Sequence, residues 1–498
     1  MSGRTIILIL LLAAALRLSL LACAWNNLAG VTTPDTTDYT SLCGSLLDGK
    51  FERSNQPEIF RAPGYPFFLV VGAAGGWRAV LIAQIVIDVL LVYLTYLLAW
   101  AVFDRRAAVW AAAFQATSAI AIASSMRLLS DGLFAMLLTL ALLLFVHYWK
   151  FSRRWSLLAS AAVLAAGCYV RPTGLVFAAI LAAALLARAI TAWRWRSTNV
   201  SDQADGCPLL PRSAFFDLAL YAGIGILLLG PWVVRNAVRA DYRGFSSFAS
   251  DSIYADAVPE LLAHLPSEKR GQAPFSNDEK GASPLFSDAE AGRQYMRDLD
   301  RADEIAHGPR TPGQAARFRQ EYSARIIGEH PWLYARLHVK GAVGFFLPGA
   351  TDVLEIAGLS RGQRGTSDVL RKQGPWAAAK YYFGDESVPH RGAAVGLTAF
   401  ITAIAAVQYL GVVLFLVRRR WREAPISSAN RKRGQAPISN GEIGASPLFR
   451  PSLAFLLFAM IVIASLLSGP YGFPRYQTMI FPLLSIFAAA GFRKRTIP

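Results

Sequence analysis

Ten long apolar runs decide what this chain can become. They cover residues 5–24, 78–103, 107–125, 131–149, 156–170, 173–192, 214–234, 392–417, 452–468 and 474–491. A helix needs roughly 20 apolar residues to cross a bilayer. The runs therefore predict an all-α polytopic integral membrane protein with about 10 spans (10–12). Charged residues make up 17% of the chain, against roughly 25% in a soluble domain, and they gather between the runs. The net charge of +17 thus reads as basic caps on apolar segments, as the positive-inside rule requires, and not as a nucleic-acid surface. Cys23, Cys43, Cys168 and Cys207 are scattered, and the histidines show no ligand spacing. Neither supplies a metal site or a disulfide framework, so a divalent metal, if one takes part, is left to carboxylates.

Arg17 interrupts the first run and nine more runs follow, so residues 1–24 read as an uncleaved helix and not as a signal peptide. Basic clusters at 104–106, 150–154, 194–196, 418–422, 431–433 and 493–495 fall on one side, the cytoplasmic one. Both termini then lie in the cytoplasm. The other face holds 25–77, 124–131, 169–174, 235–391 and 468–476. The expected organisation is a transmembrane module over 1–240 with first outer loop 25–77, an outer region over 241–391, and C-terminal helices over 392–498 with a basic loop at 418–450. Segment 331–347 carries Arg336, His338 and Lys340 and reads as a helix lying at the outer interface.

The unusual polar residues collect on the outer face. Asp35 and Asp38 follow the first run, in "PDTTDY". Each reads blandly as a solvated or helix-capping group. "FRAPGYPFF" (60–68) sets Arg61 beside a rigid turn: Pro63 and Pro66 restrict the backbone, Gly64 permits close approach, and Tyr65 is an amphipathic ring. "SD" at 130–131 puts Asp131 at the start of a span, where alone it complements a helix dipole. Arg171 in "RPTG", Arg235 in "PWVVRN" and Arg475 in "FPRYQ" lie at outer ends of spans, against the usual charge bias. A guanidinium fork binds phosphate oxygens in pairs, and a lone carboxylate suits deprotonating a hydroxyl. Together they imply attack on a phosphate-linked group presented from the lipid.

"PDTTDYTSLCGSLLDGK…FRAPGYPFFLV" resembles the first outer loop of GT-C-fold polytopic glycosyltransferases, a group that includes lipid A aminoarabinose transferases, protein O-mannosyltransferases and rhizobial lipopolysaccharide transferases. Asp35 with Tyr39, Gly49, Arg61, Pro63, Gly64, Tyr65 and Pro66 fit the pattern, and Ser130–Asp131, "RPTG", "PWVVRN" and "PRY" corroborate it. The resemblance covers 1–240 and the last two spans, but not 241–391. It implies a GT-C-like bundle that moves a sugar, with inversion, from a polyprenyl-phosphate donor to an acceptor hydroxyl on a lipid, glycan or protein. By it Asp35 is the catalytic carboxylate, and Asp131 supports the acceptor or holds a divalent metal. Asp38, Tyr39, Arg61, Tyr65, Arg171, Arg235, Arg475 and Tyr476 are the substrate-binding candidates. The setting it implies is a bacterial inner membrane, with the site facing the periplasm or exterior.

Two rivals remain. A transporter or flippase would carry charge inside its spans; Asp88, one turn after Gln84, is the one acidic residue deep in a run. A polysaccharide polymerase or ligase would place its essential arginines in the large outer segment.

"RGQAPFSNDEKGASPLF" (270–286) recurs as "RGQAPISNGEIGASPLF" (433–449), with three differences. The expected topology puts the copies on opposite faces, where they cannot share one task. They read as an inserted element tolerated in surface loops. Deleting either copy is expected to leave sugar transfer nearly intact in a membrane assay; a dead deletion variant refutes this.

Overall fold

The computed structural model describes residues 3–25, 28–198, 211–265, 289–360, 366, 369, 373–383, 390–418, 453–470 and 474–492. Both copies of the repeated peptide, Cys207 and the basic clusters at 419–450 and 493–495 lie outside them. All ten apolar runs fall on helical segments, and the fold is the expected all-α polytopic one. In chain order these are α1 (Gly3–Ala24), α2 (Pro34–Leu47), α3 (Gly64–Leu69), α4 (Val71–Val102), α5 (Arg105–Ala116), α6 (Ala119–Met126), α7 (Asp131–Phe151), α8 (Arg154–Val170), α9 (Gly174–Thr198) and α10 (Pro211–Ala240). The outer region 241–391 follows. The last three long helices are Arg391–Val417, Leu453–Leu467 and Phe481–Gly491.

Among the described residues six helices are long and apolar enough to cross a membrane. Their outward faces stay apolar, with Leu8, Ile226 and Val417 exposed at 65%, 72% and 73%. Surfaces of that kind suit hydrocarbon and not water. The chain is an integral membrane protein.

Two of the expected spans are broken. The run 107–125 bends by 52° between α5 and α6. Ser118 starts a new helix there by accepting a hydrogen bond from Ala121 N at 3.2 Å, and the Thr117 hydroxyl turns back onto Ala113 O at 2.9 Å. The run 474–491 opens as a 3-10 turn over Pro474–Met479, and only Phe481–Gly491 is α-helical. Those 11 residues rise about 17 Å, roughly half of a bilayer's apolar core. The broken elements pack on each other: the final helix lies along α5, and the 3-10 turn meets α6 and α7.

A broken helix leaves backbone carbonyls that must find donors away from water. Polar groups buried inside the bundle provide them. Arg17 of α1 is fully buried; it donates to Ala116 O at the end of α5 and to its own Ala13 O, both at 3.0 Å. It also pairs with the buried carboxylate of Asp88 on α4. One turn earlier on α4, Gln84 donates to Ser125 O at 3.1 Å and Arg127 O at 2.8 Å at the end of α6. The two residues that interrupt apolar runs thus neutralise each other and close the break. The intramembrane charge that would have marked a transport path has a structural partner.

The outer region carries its own small core, built from Tyr254, Val258, Leu261, Met296, Tyr322 and Leu337. The helix Pro331–Phe345 covers the segment expected at the interface, and it packs against Leu453–Leu467 and the 3-10 turn.

Arg17→Ala leaves the Asp88 carboxylate buried and unpaired, which costs roughly 3–5 kcal/mol. The expected result is a clearly lowered melting temperature in detergent, partly restored in the joint Arg17→Met/Asp88→Leu protein. A single variant that melts like the parent would exclude this role.

Candidate active site

The first outer loop is folded by contacts within itself before it meets the bundle. Thr33 caps α2 in a capping box with Thr36, and Pro34 occupies its first turn. Asp35, Asp38 and Tyr39 then lie one turn apart or less along one face. Both aspartates are therefore within the helix and neither is its cap. A short antiparallel hairpin follows, pairing Glu52 with Pro57 and Arg53 with Gln56. Its turn residues Ser54 and Asn55 have φ of 50° and 61°, the two-residue left-handed turn that hairpins favour.

Glu58 ties hairpin to turn. Its buried carboxylate accepts from the backbone N–H of Phe60 at 2.6 Å and of Arg61 at 2.8 Å, and it pairs with Arg53 Nε at 2.7 Å. In α3, Gly64 presses on the end of α8. A Cβ there would stand 2.7 Å from the carbonyl carbon and oxygen of Tyr169, so only glycine fits the "APGYP" turn. Tyr65 is fully buried; its hydroxyl donates to Gln84 Oε1 at 2.7 Å and its ring meets Tyr39 edge-on at 4.8 Å.

This scaffold aims Arg61 at α2. One terminal nitrogen of Arg61 lies 2.8 Å from Asp35 and 3.2 Å from Asp38, and the other donates to the Tyr39 hydroxyl at 3.3 Å. Asp38 also pairs with Arg53 at 3.0 Å. From the far end of the chain, Arg475 reaches the second oxygen of Asp35 at 2.7 Å. That contact distinguishes the two aspartates. Burial works to raise the Asp35 carboxyl, but the guanidiniums of Arg475 and Arg61 outweigh it and hold the group below its ordinary value of 3.8.

A second ion pair lies beside the first. Asp131, at the start of α7, is buried and pairs with Arg171 at 2.6 Å. The Tyr39 hydroxyl and Ser130 Oγ, 3.0 Å apart, link the two pairs. The Tyr476 ring lies 5.6 Å from the Arg171 guanidinium and 5.3 Å from that of Arg475. Arg127 forms a third group, at 3.1 Å from Asp352 and 2.5 Å from Glu355. Burial pushes the Asp352 carboxyl up, with Arg127 opposing.

Of the ten site residues named from the sequence, eight come together: Asp35, Asp38, Tyr39, Arg61, Asp131, Arg171, Arg475 and Tyr476. Tyr65 supports Tyr39 from behind and lines no cavity described here. Arg235 does not join the arginine cluster. It donates to Phe51 O at 2.7 Å and Glu58 O at 2.6 Å and stacks on Trp232, so it straps the loop backbone. Glu58, Arg53, Arg127 and Asp352 were not singled out. Arg127 could have been, by the same outer-end argument that found Arg171; its acidic partners more than two hundred residues away could not.

Two cavities adjoin the cluster. One of about 170 Å³ is bounded by Thr33, Arg127, Asp131, Asp352 and Arg475. The other, about 430 Å³, has Arg171 and Tyr476 at a polar end and Leu175, Val176, Leu466 and Leu467 along its apolar wall. Each site carboxylate already faces an arginine, a donor set that suits an anionic ligand better than a divalent cation. Among the described residues no three His, Cys, Asp or Glu side chains gather to hold a metal ion.

Residues 65–201 match the family model of dolichyl-phosphate-mannose-protein mannosyltransferases. The resemblance to these glycosyltransferases holds. The matched segment contains Tyr65, Asp131 and Arg171 but not Asp35, Arg61 or Arg475. No curated protein sequence matches the chain significantly. Solved structures that align with the chain include the Archaeoglobus fulgidus oligosaccharyltransferase tethered to an acceptor peptide, at 16% identity and TM-score 0.42 over 98% of this chain and 49% of that one. The same enzyme, AglB, with an inhibitory peptide and dolichol-phosphate aligns at 16% identity and TM-score 0.43, over 97% and 50%. ArnT from Cupriavidus metallidurans bound to undecaprenyl phosphate aligns at 13% identity and TM-score 0.41, over 98% and 78%. The chain spans about half the length of the oligosaccharyltransferase.

Gly64→Ala must push α3 off α8. Faster amide exchange over 58–70 and a lower melting temperature are expected. Gly44→Ala, a helical position with open space around it, serves as the control and is expected to be neutral or stabilising by up to about 1 kcal/mol.

Proposed function

We propose that the protein is a membrane glycosyltransferase that moves a sugar from a polyprenyl-phosphate donor to an acceptor hydroxyl, inverting the anomeric centre. One observation carries this reading. Asp35, a carboxylate held between two arginines, is linked through Arg61, Tyr39 and Ser130 to a further arginine, Arg171, which lines an apolar cavity. A lipid tail suits the wall of Leu175, Val176, Leu466 and Leu467, and its phosphate then meets Arg171 and Arg475. The family match over 65–201 supports the same chemistry.

In this state Asp35 is a weak base, because both its oxygens face guanidinium groups. A donor phosphate changes that by competing for Arg475, the more exposed of its two partners at 35% against 11% for Arg61. The freed carboxylate oxygen then accepts the proton of the acceptor hydroxyl. The hydroxyl oxygen attacks the anomeric carbon, the bond from that carbon to the phosphate oxygen breaks, and the polyprenyl phosphate leaves with its charge held by Arg475 and Arg171. Asp131, paired with Arg171, positions that guanidinium.

The site belongs, in this reading, to the non-cytoplasmic face of a bacterial inner membrane, with both termini in the cytoplasm. Supporting this, Arg105, Arg106, Lys150, Arg153 and Arg154 flank the junctions from α4 to α5 and from α7 to α8, at the ends of α4 and α7 opposite the site.

Asp35→Asn should abolish transfer while the protein still inserts and folds; near-normal product formation sinks the assignment. The pH profile gives a second test. In the free enzyme the arginines hold Asp35 below 3.8, so the acidic limb of kcat/KM lies below that value. Donor phosphate both draws off a cation and adds negative charge, so the carboxyl rises in the complex. The acidic limb of kcat is therefore expected at higher pH than that of kcat/KM. Coincident limbs would refute the exchange of partners.

A further inference from the structure

The outer region contains a polar cavity of about 320 Å³ that none of the steps above uses. One side is Phe60, the neighbour of Arg61. The other sides come from 248–319, the part of the chain outside the family resemblance. Six ionisable side chains line it: Asp251, Asp256 and Asp300 against Arg293, Arg297 and Arg319. The charges balance, three against three, and Arg319 already holds Asp300 at 2.9 Å and Asp251 at 3.2 Å, so the wall offers a ligand hydrogen bonds and little net charge. A balanced wall of forked donors and acceptors suits a neutral ligand with many hydroxyl groups, each of which both donates and accepts. Phe60 adds a ring surface for the apolar face of a sugar.

This cavity shares a wall with the 430 Å³ cavity described above. The partition is α-helical over Phe248–Ser252 and then widens into a π-turn over Ile253–Ala257, a distortion often found at functional sites. Ser252 and Asp256, four residues apart on one face, line both cavities. Partial enclosure raises the Asp256 carboxyl, Arg293 and Arg475 oppose this, and Asp35 adds to the rise. Asp256 thus lies on the shared wall and within reach of the field of the Asp35–Arg475 pair.

From the shared partition and the balanced wall we infer that the polar cavity is the acceptor subsite, that it takes a neutral glycan, and that Ser252 and Asp256 pass the acceptor hydroxyl toward Asp35. This deepens the transferase reading and rests on it for the word acceptor; the binding of a neutral sugar does not depend on that reading. Asp256 is a positioning residue here, since Asp35 takes the proton.

The test uses the full chain in nanodiscs and a panel of short oligosaccharides: neutral ones of hexose and 6-deoxyhexose units, with acidic and amino-sugar counterparts. Saturation-transfer NMR is expected to show saturable binding of at least one neutral member, in preference to its charged counterparts. Asp256→Asn, which preserves volume, and Arg297→Ala should each weaken that binding at least tenfold with melting unchanged. If Arg297→Ala does not fold, Asp256→Asn decides. No neutral member binding, preference for a charged member, or unchanged affinity in Asp256→Asn each overturns the inference. Binding of a long-chain polyprenyl phosphate is measured in the same samples. Its absence beside intact sugar binding counts against the transferase reading and leaves the sugar site standing.

Discussion

The fold depends on one ion pair inside the apolar bundle. Arg17 and Asp88 join α1 to α4, and the same guanidinium caps the carbonyl at which α5 ends. An isolated charge at that depth would be expelled or neutralised. As a pair, with the break in the helix to satisfy, the two charges become mutually necessary. The break tilts α6 and delivers Arg127, Ser130 and Asp131 to the face that carries the first loop. Chemistry at the surface thus rests on a polar contact in the interior, with Gln84 making the second link, from Tyr65 to the end of α6.

At the surface the organising rule is charge matching. Every acidic group near Asp35 has an arginine, and those arginines come from the first loop, the α8–α9 turn, the α6–α7 turn and the final 3-10 turn. Matched ions hold separate elements in register without a ligand. They also give an anionic ligand a simple way in, because it need only replace a carboxylate that is already bound.

The spans were legible in the sequence because apolar length is a local property. Their breaks were not: Thr117–Ser118 lies in an otherwise apolar run, and the bend becomes visible only with the groups that cap it. Arg17 and Asp88 were each noticed, one as an interruption and the other as a transport cue, but nothing local says that residues 71 apart face each other. The resemblance gave Asp35 and Asp38 different roles, and in the fold both touch Arg61. Arg235 was expected to face a phosphate, and in the fold it donates to the carbonyls of Phe51 and Glu58, partners that leave no mark in a sequence. The hairpin at 52–57 escaped because its Ser54–Asn55 turn lacks the glycine that usually announces one.

The bond between Asp35 and Arg475 joins residues 440 positions apart. During synthesis the first loop is made long before residues 466–476. Until they follow, Asp35 lacks one of its two counter-ions, and the larger cavity lacks Leu466, Leu467 and Tyr476. The ion pair therefore joins the earliest and the latest parts of the described fold. A ribosome that stops before residue 475 leaves most of the apolar helices and an Asp35 without Arg475.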